Sequence, residues 1–327
     1  MSLISIIIPN YNHAEFLEQR IESILNQTFQ DFELILLDDC STDSSRIILE
    51  KYKNHPKISQ LVYNTSNSGS TFIQWNKGVD LAKSEWINIA ESDDYSDAGF
   101  LKKLTEIIHK DAGIVLAYCQ SNKVDEKGNN HGDWSTQTQH LSSQKFGADF
   151  IMDGNDFIYN FLIKENYIPN ASAVIFRKSA YVSAGKARAD IAKCGDWYIW
   201  IKILFLGKVG FVAESLNNFR FHDNSVIAKA SKIKSVYTKF YYDGIFRKQL
   251  KEDLKNSPEA EIYNKNNTLY NHLKYNEVTY FIEAGFYIPA LKKILLLLFT
   301  NIGFWAHTPY ILKVLYKSVF SSGFTKR

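Results

Sequence analysis

Three carboxylates fall within four residues at Glu91-Ser92-Asp93-Asp94, directly after the apolar run Trp86-Ile87-Asn88-Ile89. Acids at that density repel one another unless a cation or hydrogen-bond donors compensate them. Hard oxygen ligands suit Mg2+ or Mn2+, ions that keep several waters and take further ligands from phosphates. The alternative is a solvated loop in which Asp97 caps the following helix; the position behind a buried strand favours the cation. A second pair, Asp38-Asp39, follows Leu34-Ile35-Leu36-Leu37. It fits a capping turn through Asp39-Cys40-Ser41-Thr42-Asp43. It fits equally well a carboxylate that accepts a hydrogen bond from a nucleobase N–H or a ribose hydroxyl, with Tyr11 offering an apolar face nearby.

The elements that must position these acids alternate between β-branched runs and helix-period segments, the pattern of βαβ units. Residues 4–8 read as a strand. Residues 15–26 carry Phe16, Leu17, Ile21, Ile24 and Leu25 at helical spacing, and the apolar run 34–37 reads as a buried strand. A helix over 44–53 leads to Leu61-Val62-Tyr63, and one over 70–83 leads to the strand 86–89. Each strand ends in polar residues. Ligands of open parallel sheets bind beyond the carboxyl ends of the strands, so Asn10-Tyr11-Asn12, Asp38-Asp39 and Glu91-Ser92-Asp93-Asp94 are expected along one edge. From about Gly113 mixed strands and longer polar loops take over. Residues 123–144, rich in Asn, Ser, Thr and Gly, read as a mobile loop, 171–176 as a strand and 197–206 as a buried helix. From Ser231 onward the chain reads as helical.

A length of 327 residues predicts one large domain with an appendage. The hydrophobic fraction of 45% and charged fraction of 22% exclude global disorder. A net charge of +3 argues against a nucleic-acid partner, which calls for a strong basic patch. Cys40, Cys119 and Cys194 form neither a disulfide scaffold nor CxxC pairs, and point to a reducing, cytoplasmic setting. Ser2-Leu3-Ile4-Ser5-Ile6 lacks a basic n-region and its apolar run stops at Pro9, so no secretory signal is expected.

Taken in order, Pro9-Asn10-Tyr11-Asn12, Leu37-Asp38-Asp39-Cys40-Ser41-Thr42-Asp43, Asn67-Ser68-Gly69, Asn76-Lys77-Gly78 and Ala90-Glu91-Ser92-Asp93-Asp94 resemble the motifs of the family 2 glycosyltransferases of the GT-A fold. The resemblance runs from residue 3 to about residue 225. It implies an α/β, Rossmann-like nucleotide-diphospho-sugar transferase fold, a mixed sheet flanked by helices with a C-terminal helical appendage. The nucleotide-sugar-binding half would span residues 1–112, the acceptor-binding half 113–228 and the helical region 229–327. The implied activity is an inverting, metal-dependent transfer of a sugar from a nucleotide-diphosphate donor, UDP being commonest in the family. The implied acceptor is a hydroxyl of a glycan or lipid-linked glycan, as in cell-surface polysaccharide synthesis.

By the same resemblance Asp39 binds the base, Asp38 the base or ribose region, and Pro9 and Tyr11 form the pocket around it. Asp93 takes the last position of the family's DxD motif and ligates the Mn2+ or Mg2+ that bridges the donor phosphates; Glu91 takes the first position and Asp94 shares the work. His222, in Phe219-Arg220-Phe221-His222-Asp223-Asn224-Ser225, is a further candidate ligand, or else a structural histidine beside aromatics. Arg220 is expected to pair with the diphosphate or with a carboxylate of the fold. Asp196, in Cys194-Gly195-Asp196-Trp197, matches the acid of the family's Glu-Asp pair near the acceptor. Inversion needs a base opposite the leaving diphosphate, and one carboxylate there suffices. The alternative for Asp196 is an N-cap of the helix starting at Trp197.

Three departures accompany the resemblance: Glu91 replaces the commoner aspartate, Gly195 replaces the glutamate, and residues 69–76 lack an arginine, with Gln74 or Trp75 in its neighbourhood. They leave open a non-catalytic nucleotide-sugar or glycan-binding module with a degenerate donor site. The first turn, Pro9-Asn10-Tyr11-Asn12-His13-Ala14, lacks GxGxxG, which counts against a nicotinamide-dependent dehydrogenase. In the tail, the apolar run 290–299 falls short of the ~20 residues a membrane span needs. Trp305, Tyr310 and Tyr316 among Lys292, Lys293, Lys313 and Lys317 suit helices lying peripherally on the inner face of a membrane, where a lipid-linked glycan is a natural acceptor. Packing on the catalytic domain or in a homo-oligomer is the alternative.

Overall fold

The computed structural model describes residues 2–191, 194–222 and 236–300, together with 309, 311, 312 and 316. The chain divides into two compact units, Met1–Ala230 and Ser231–Arg327. The boundary expected at 228/229 lies outside the described residues, as do Asp223, Asn224, Ser225, Trp305, Tyr310, Lys313 and Lys317.

The first unit opens with β1 (Ile4–Asn10), α1 (Ala14–Leu25), β2 (Phe32–Asp38), α2 (Ser45–Tyr52), β3 (Ile58–Tyr63), α3 (Thr71–Leu81) and β4 (Trp86–Ile89). β1 pairs in parallel with β2 and β4, and β2 with β3. Every residue of β1 and β2 is buried, because helices cover both faces, as in parallel sheets generally. On one face Ile4, Ile6 and Ile8 of β1 and Leu34 and Leu36 of β2 join Leu17, Ile21 and Ile24 of α1 in one core. Burying each such side chain contributes about 1.5–3 kcal/mol. On the other face α3 approaches closely at Gly78, where a Cβ would sit 2.4 Å from Cγ2 of Ile7.

The chain continues through β5 (Tyr95–Ser96), α4 (Phe100–Ile108), β6 (Ile114–Val124), β7 (Asn130–Asp133), α5 (Ser135–Phe146), β8 (Phe150–Asp153), α6 (Gly154–Phe157), β9 (Val174–Arg177), α7 (Lys178–Ser183), α8 (Gly195–Leu204) and β10 (Lys208–Arg220). The main path of the ten-stranded sheet is β3-β2-β1-β4-β9-β6-β10-β5. β9 runs antiparallel to both β4 and β6, which makes the sheet mixed. Residues on either side of position 112 therefore share one continuous sheet.

Two segments differ from expectation. The strand expected over 171–176 begins as a 3-10 turn, Ala171–Ala173, because Asn170 Oδ1 accepts from Ala173 N at 3.0 Å. The loop expected over 123–144 is instead β7 followed by α5. Its anchor is Trp134, packed against Phe219 at 5.8 Å and Phe221 at 6.2 Å between ring centroids, with Lys123 over its face at 4.8 Å. Composition alone hides such partners, since they lie far away in sequence.

The second unit contains α9 (Val236–Leu254), α10 (Ala260–Glu283) and α11 (Tyr287–Thr300). Val278, Ile282, Ala290, Ile294, Leu297 and Ile311 form its core. Buried Glu277 is paired with Lys293 at 2.8 Å and Lys274 at 3.4 Å. Among the described residues no helix is long and apolar enough to cross a membrane.

Candidate active site

The parallel arrangement of β1, β2 and β4 carries three loops to one edge of the sheet: 10–13, 38–43 and 90–94. At the first two, backbone and side chains interlock. Asn12 and Cys40 adopt left-handed conformations, with φ of +57° and +64°. Asn12 N donates to Ser41 Oγ at 3.0 Å, its Oδ1 accepts from Thr42 N at 2.7 Å, and Ala14 N donates to Asp43 Oδ2 at 2.9 Å. A short polar residue tolerates the left-handed region best, which suits asparagine at position 12. Pro9 is buried beside Leu37, whereas Tyr11 is 45% exposed.

Asp38 and Asp39 both stand buried at the end of β2. Asp38 accepts from Asn10 Nδ2 and Ser41 N, each at 3.1 Å, and so ties the first two loops together. Asp39 is held by neutral donors: Asn64 Nδ2 at 2.6 Å, Ser68 Oγ at 2.7 Å, Gln74 Nε2 at 2.9 Å and Ser68 N at 3.0 Å. Lys77 bonds Asn64 Oδ1 and thereby turns the amide NH2 towards Asp39. Gln74, in the segment without an arginine, is thus part of the cage around Asp39.

The acidic loop is built differently. Asp93 Oδ2 lies 3.0 Å from His222 Nε2. Burial works to raise the Asp93 carboxyl, but the His222 hydrogen bond and the charges of His13 and His222 hold it below the usual carboxylate range. One ligand atom from each of His13, Asp93 and His222 lies within 4.8 Å of the others. Asp94, expected with the ion, faces elsewhere: Oδ1 accepts from Arg220 N at 3.0 Å, and the Ser172 hydroxyl also bonds it. Successive side chains point apart, so Asp93 turns to the histidines and Asp94 to the end of β10. Burial first, and then the neighbouring charge of Asp93, push Asp94 up to about 7.

Glu91 is anchored to α3. Its Oε1 accepts from Trp75 Nε1 at 2.7 Å and from Thr71 Oγ1 at 3.4 Å. Burial, followed by the charges of Asp93 and Asp94, pushes its carboxyl up to about 8. Beneath the loop lies Arg20, fully buried on α1, with Nη1 donating to Ser96 Oγ at 2.8 Å. Its burial brings the guanidinium down to about 10 against the opposing charges of Asp94, Glu91 and Asp93. Arg220 has its donors committed to the fold: Nε to Asp93 O at 2.9 Å, Nη1 to Glu126 O at 2.7 Å and Nη2 to Gln19 Oε1 at 2.6 Å. Of the two partners expected for Arg220, neither a diphosphate nor a carboxylate side chain is needed to occupy these atoms.

On the far side of α3, Asp196 lies in the first turn of α8, one residue inside the helix start and not at its cap. Its Oδ2 accepts from Asn166 Nδ2 at 3.1 Å, and burial raises its carboxyl above the ordinary value. Gly195 packs against Phe72 of α3: a Cβ there would stand 2.5 Å from ring atoms Cε2 and Cζ. That contact explains the glycine, since the ring takes the room a larger side chain needs. Phe72 meets Trp75 at 5.0 Å, and Trp75 stacks on Trp200 of α8 at 5.9 Å. The aromatic column therefore couples the helix bearing Asp196 to the helix that holds Glu91.

The family model for Glycosyl transferase family 2 matches residues 5–178, more than half of the chain and all three loops of the edge. The chain belongs to glycosyl transferase family 2. It is 34% identical over 229 residues to Glycosyltransferase GlyG of Streptococcus pneumoniae serotype 4, covering 69% of this chain and 73% of that protein. It is 33% identical over 128 residues to Chondroitin synthase of Escherichia coli, where the match covers 39% of this chain and 18% of that much longer protein. Among solved structures, Staphylococcus aureus TarS 1-349 in complex with UDP-GlcNAc gives a TM-score of 0.60 at 17% identity, over 80% of this chain and 69% of that one. The mannosyltransferase PcManGT of Pyrobaculum calidifontis in complex with GDP-Man and Mn2+ gives 0.61 at 14% identity, over 100% of this chain and 88% of that one. At these identities the structural likeness establishes the GT-A fold. The family match ends at residue 178, before Asp196 and His222.

Sequence reasoning singled out neither of two residues that the structure places beside the acidic loop. Arg20 sits within the apolar stripe of α1 between Leu17 and Ile21, and a cation on a core-facing stripe was its signal. His13 directly follows the Pro9–Asn12 motif and turns towards the acidic loop, with Nδ1 2.8 Å from Ser92 Oγ.

Proposed function

We propose that this protein is an inverting glycosyltransferase that moves a sugar from a nucleoside-diphosphate donor, UDP-linked by preference, to a hydroxyl of a glycan or lipid-linked glycan. The observation that carries the reading is the pairing on one sheet edge of a neutral polar cage at Asp39 with the Asp93–His222 cluster. Nucleoside recognition belongs to the first corner, with Tyr11 over the base and Asp38 and Asp39 receiving base or ribose donors. The diphosphate belongs to the second. One carboxylate and imidazole nitrogens fit a divalent ion, Mn2+ more readily than Mg2+, and Asp93 and His222 would hold it. When bound, such an ion neutralises charge on the leaving diphosphate.

The reaction is a single displacement at the anomeric carbon. Asp196 takes the acceptor's hydroxyl proton, the oxygen forms the new glycosidic bond, and the bond to the diphosphate breaks with its electron pair leaving on phosphate oxygen. A carboxyl raised by burial is the better base for this role, because its affinity for a proton is greater. Glu91, held by Thr71 and Trp75, borders the place between the corners and is proposed to receive ribose or sugar hydroxyls. Structures of like fold that hold UDP-GlcNAc, or GDP-Man with Mn2+, support this class of donor. On α11, Ile288, Leu291, Leu295 and Leu296 are exposed, which supports peripheral membrane contact. Sedimentation with anionic vesicles that leaves Leu291→Glu and the parent equally bound would remove that contact.

A donor screen tests the activity. Release of nucleoside diphosphate from UDP-, GDP- and TDP-sugars is measured with Mn2+ or Mg2+, with and without glycan acceptors. Acceptor-stimulated release from one class is expected; tight donor binding without release under any condition would favour a non-catalytic binding module.

A further inference from the structure

His13 immediately precedes α1 yet makes no side-chain cap to it. Its ring instead stands edge-on to His222, with centroids 5.5 Å apart and planes at 85°, and lies 6.4 Å from Phe16. Phe16 in turn packs against His222 at 5.0 Å, so both imidazoles are steadied by one aromatic ring. Nδ1 of His13 faces Ser92 Oγ at 2.8 Å, the residue between Glu91 and Asp93.

From this geometry we infer that His13 is a third protein ligand of the divalent cation, so that the ion is held by one carboxylate and two imidazoles. The inference rests on the metal-dependent reading of the site and deepens it. A histidine ligates through a neutral ring, with the other nitrogen's N–H engaged by an outer partner that fixes tautomer and orientation. In the tautomer whose Nδ1–H donates to Ser92 Oγ, Ser92 is that outer partner and Nε2 is the ligating nitrogen. Asp93 Oδ2 and His222 Nε2 are 3.0 Å apart. Two ligands about 2.1 Å from a common ion stand at that separation when they subtend about 90°, as in octahedral sites. The atoms of all three residues fall within 4.8 Å of one another, close enough to share one ion. Two imidazoles also set a preference. Mg2+ favours carboxylate, carbonyl and water oxygen, whereas nitrogen ligands shift a site towards the transition metals. The remaining positions stay open to phosphate oxygens and water, which makes His13 a link between the nucleoside loop of β1 and the ion.

Pulsed electron paramagnetic resonance of Mn2+ bound to the full chain with UDP reads the ligands directly. The parent is expected to show coupling to two imidazole nitrogens, and His13→Ala and His222→Ala to one each. Mn2+ affinity measured by titration should fall by ~10-fold or more in His13→Ala, the scale of losses around metal sites. His13→Asp should narrow the preference for Mn2+ over Mg2+. His13→Gln serves as a second variant, with thermal unfolding checking that each retains the fold. If His13→Ala and His13→Gln keep the parental nitrogen coupling and Mn2+ affinity while Asp93→Asn loses the ion, His13 is not a ligand and the metal site stands without it. A parent chain that takes up no Mn2+ with or without UDP overturns the metal-dependent reading itself.

Discussion

Asp39 and the acidic loop at residues 91–94 occupy the same edge of the sheet and are compensated in opposite ways. Around Asp39 the compensation is already present: side-chain amides, a hydroxyl and a backbone N–H converge on both oxygens. In the acidic loop it is incomplete. Glu91 and Asp94 are pushed up to about 8 and about 7, and a buried arginine lies beneath them. In the proposed reading the first corner receives a neutral, hydrogen-bonding group, the nucleoside. The second holds unrelieved charge that a cation, or a proton, must meet. A donor that is nucleoside at one end and diphosphate at the other matches the two.

The sharpest way to probe the division lies outside both corners, at the proposed base. Asp196→Asn should lower sugar transfer by ~10²-fold or more, the scale for loss of a general base, while donor affinity and thermal stability stay near the parent's. The amide oxygen can still accept from the backbone N–H of Trp197, as the carboxylate does, so the start of α8 keeps that contact. Transfer at near the parental rate, under conditions where chemistry limits turnover, would move the base to another carboxylate.

Within the nucleoside corner, Asp39→Ala should weaken UDP and uridine alike by about tenfold, as expected for losing a hydrogen bond to a charged group. Calorimetry with both ligands decides it. A loss confined to UDP would assign Asp39 to the diphosphate and erase the contrast between the corners.

The smallest expected effect concerns stability. With the Glu91 carboxyl at about 8 against an ordinary 4.5, the native chain between those values holds a proton that the unfolded chain has lost. Stability from this group is therefore complete below about 4.5 and is lost as pH rises through about 8. Glu91→Gln removes that dependence. Without divalent ions, the melting temperature of the variant relative to the parent should climb between pH 6 and 9, by a few degrees. Parallel curves for the two proteins would mean that Glu91 is ionised in the native state.

The first four strands and three helices were legible because buried apolar runs and helical spacing of Phe16, Leu17, Ile21 and Ile24 leave a periodic trace. The acids at strand ends were legible from topology. Orientation within the acidic loop was not: Asp93 and Asp94 are adjacent in sequence, and only the position of β10 turns one to His222 and the other to the N–H of Arg220. Residues 123–144 looked like a loop because Trp134 finds its partners at Phe219 and Phe221, beyond any local pattern. Gly195 read as a loss from the family motif; the structure explains it as packing against Phe72.

The claim that the two corners divide one donor between them is tested most directly by titrating the parent protein with UDP and with uridine, each with and without Mn2+. Mn2+ is predicted to strengthen UDP binding by ~10-fold or more and to leave uridine unchanged, because only the diphosphate meets the ion. Equal effects of Mn2+ on both ligands, or none on either, would contradict the account.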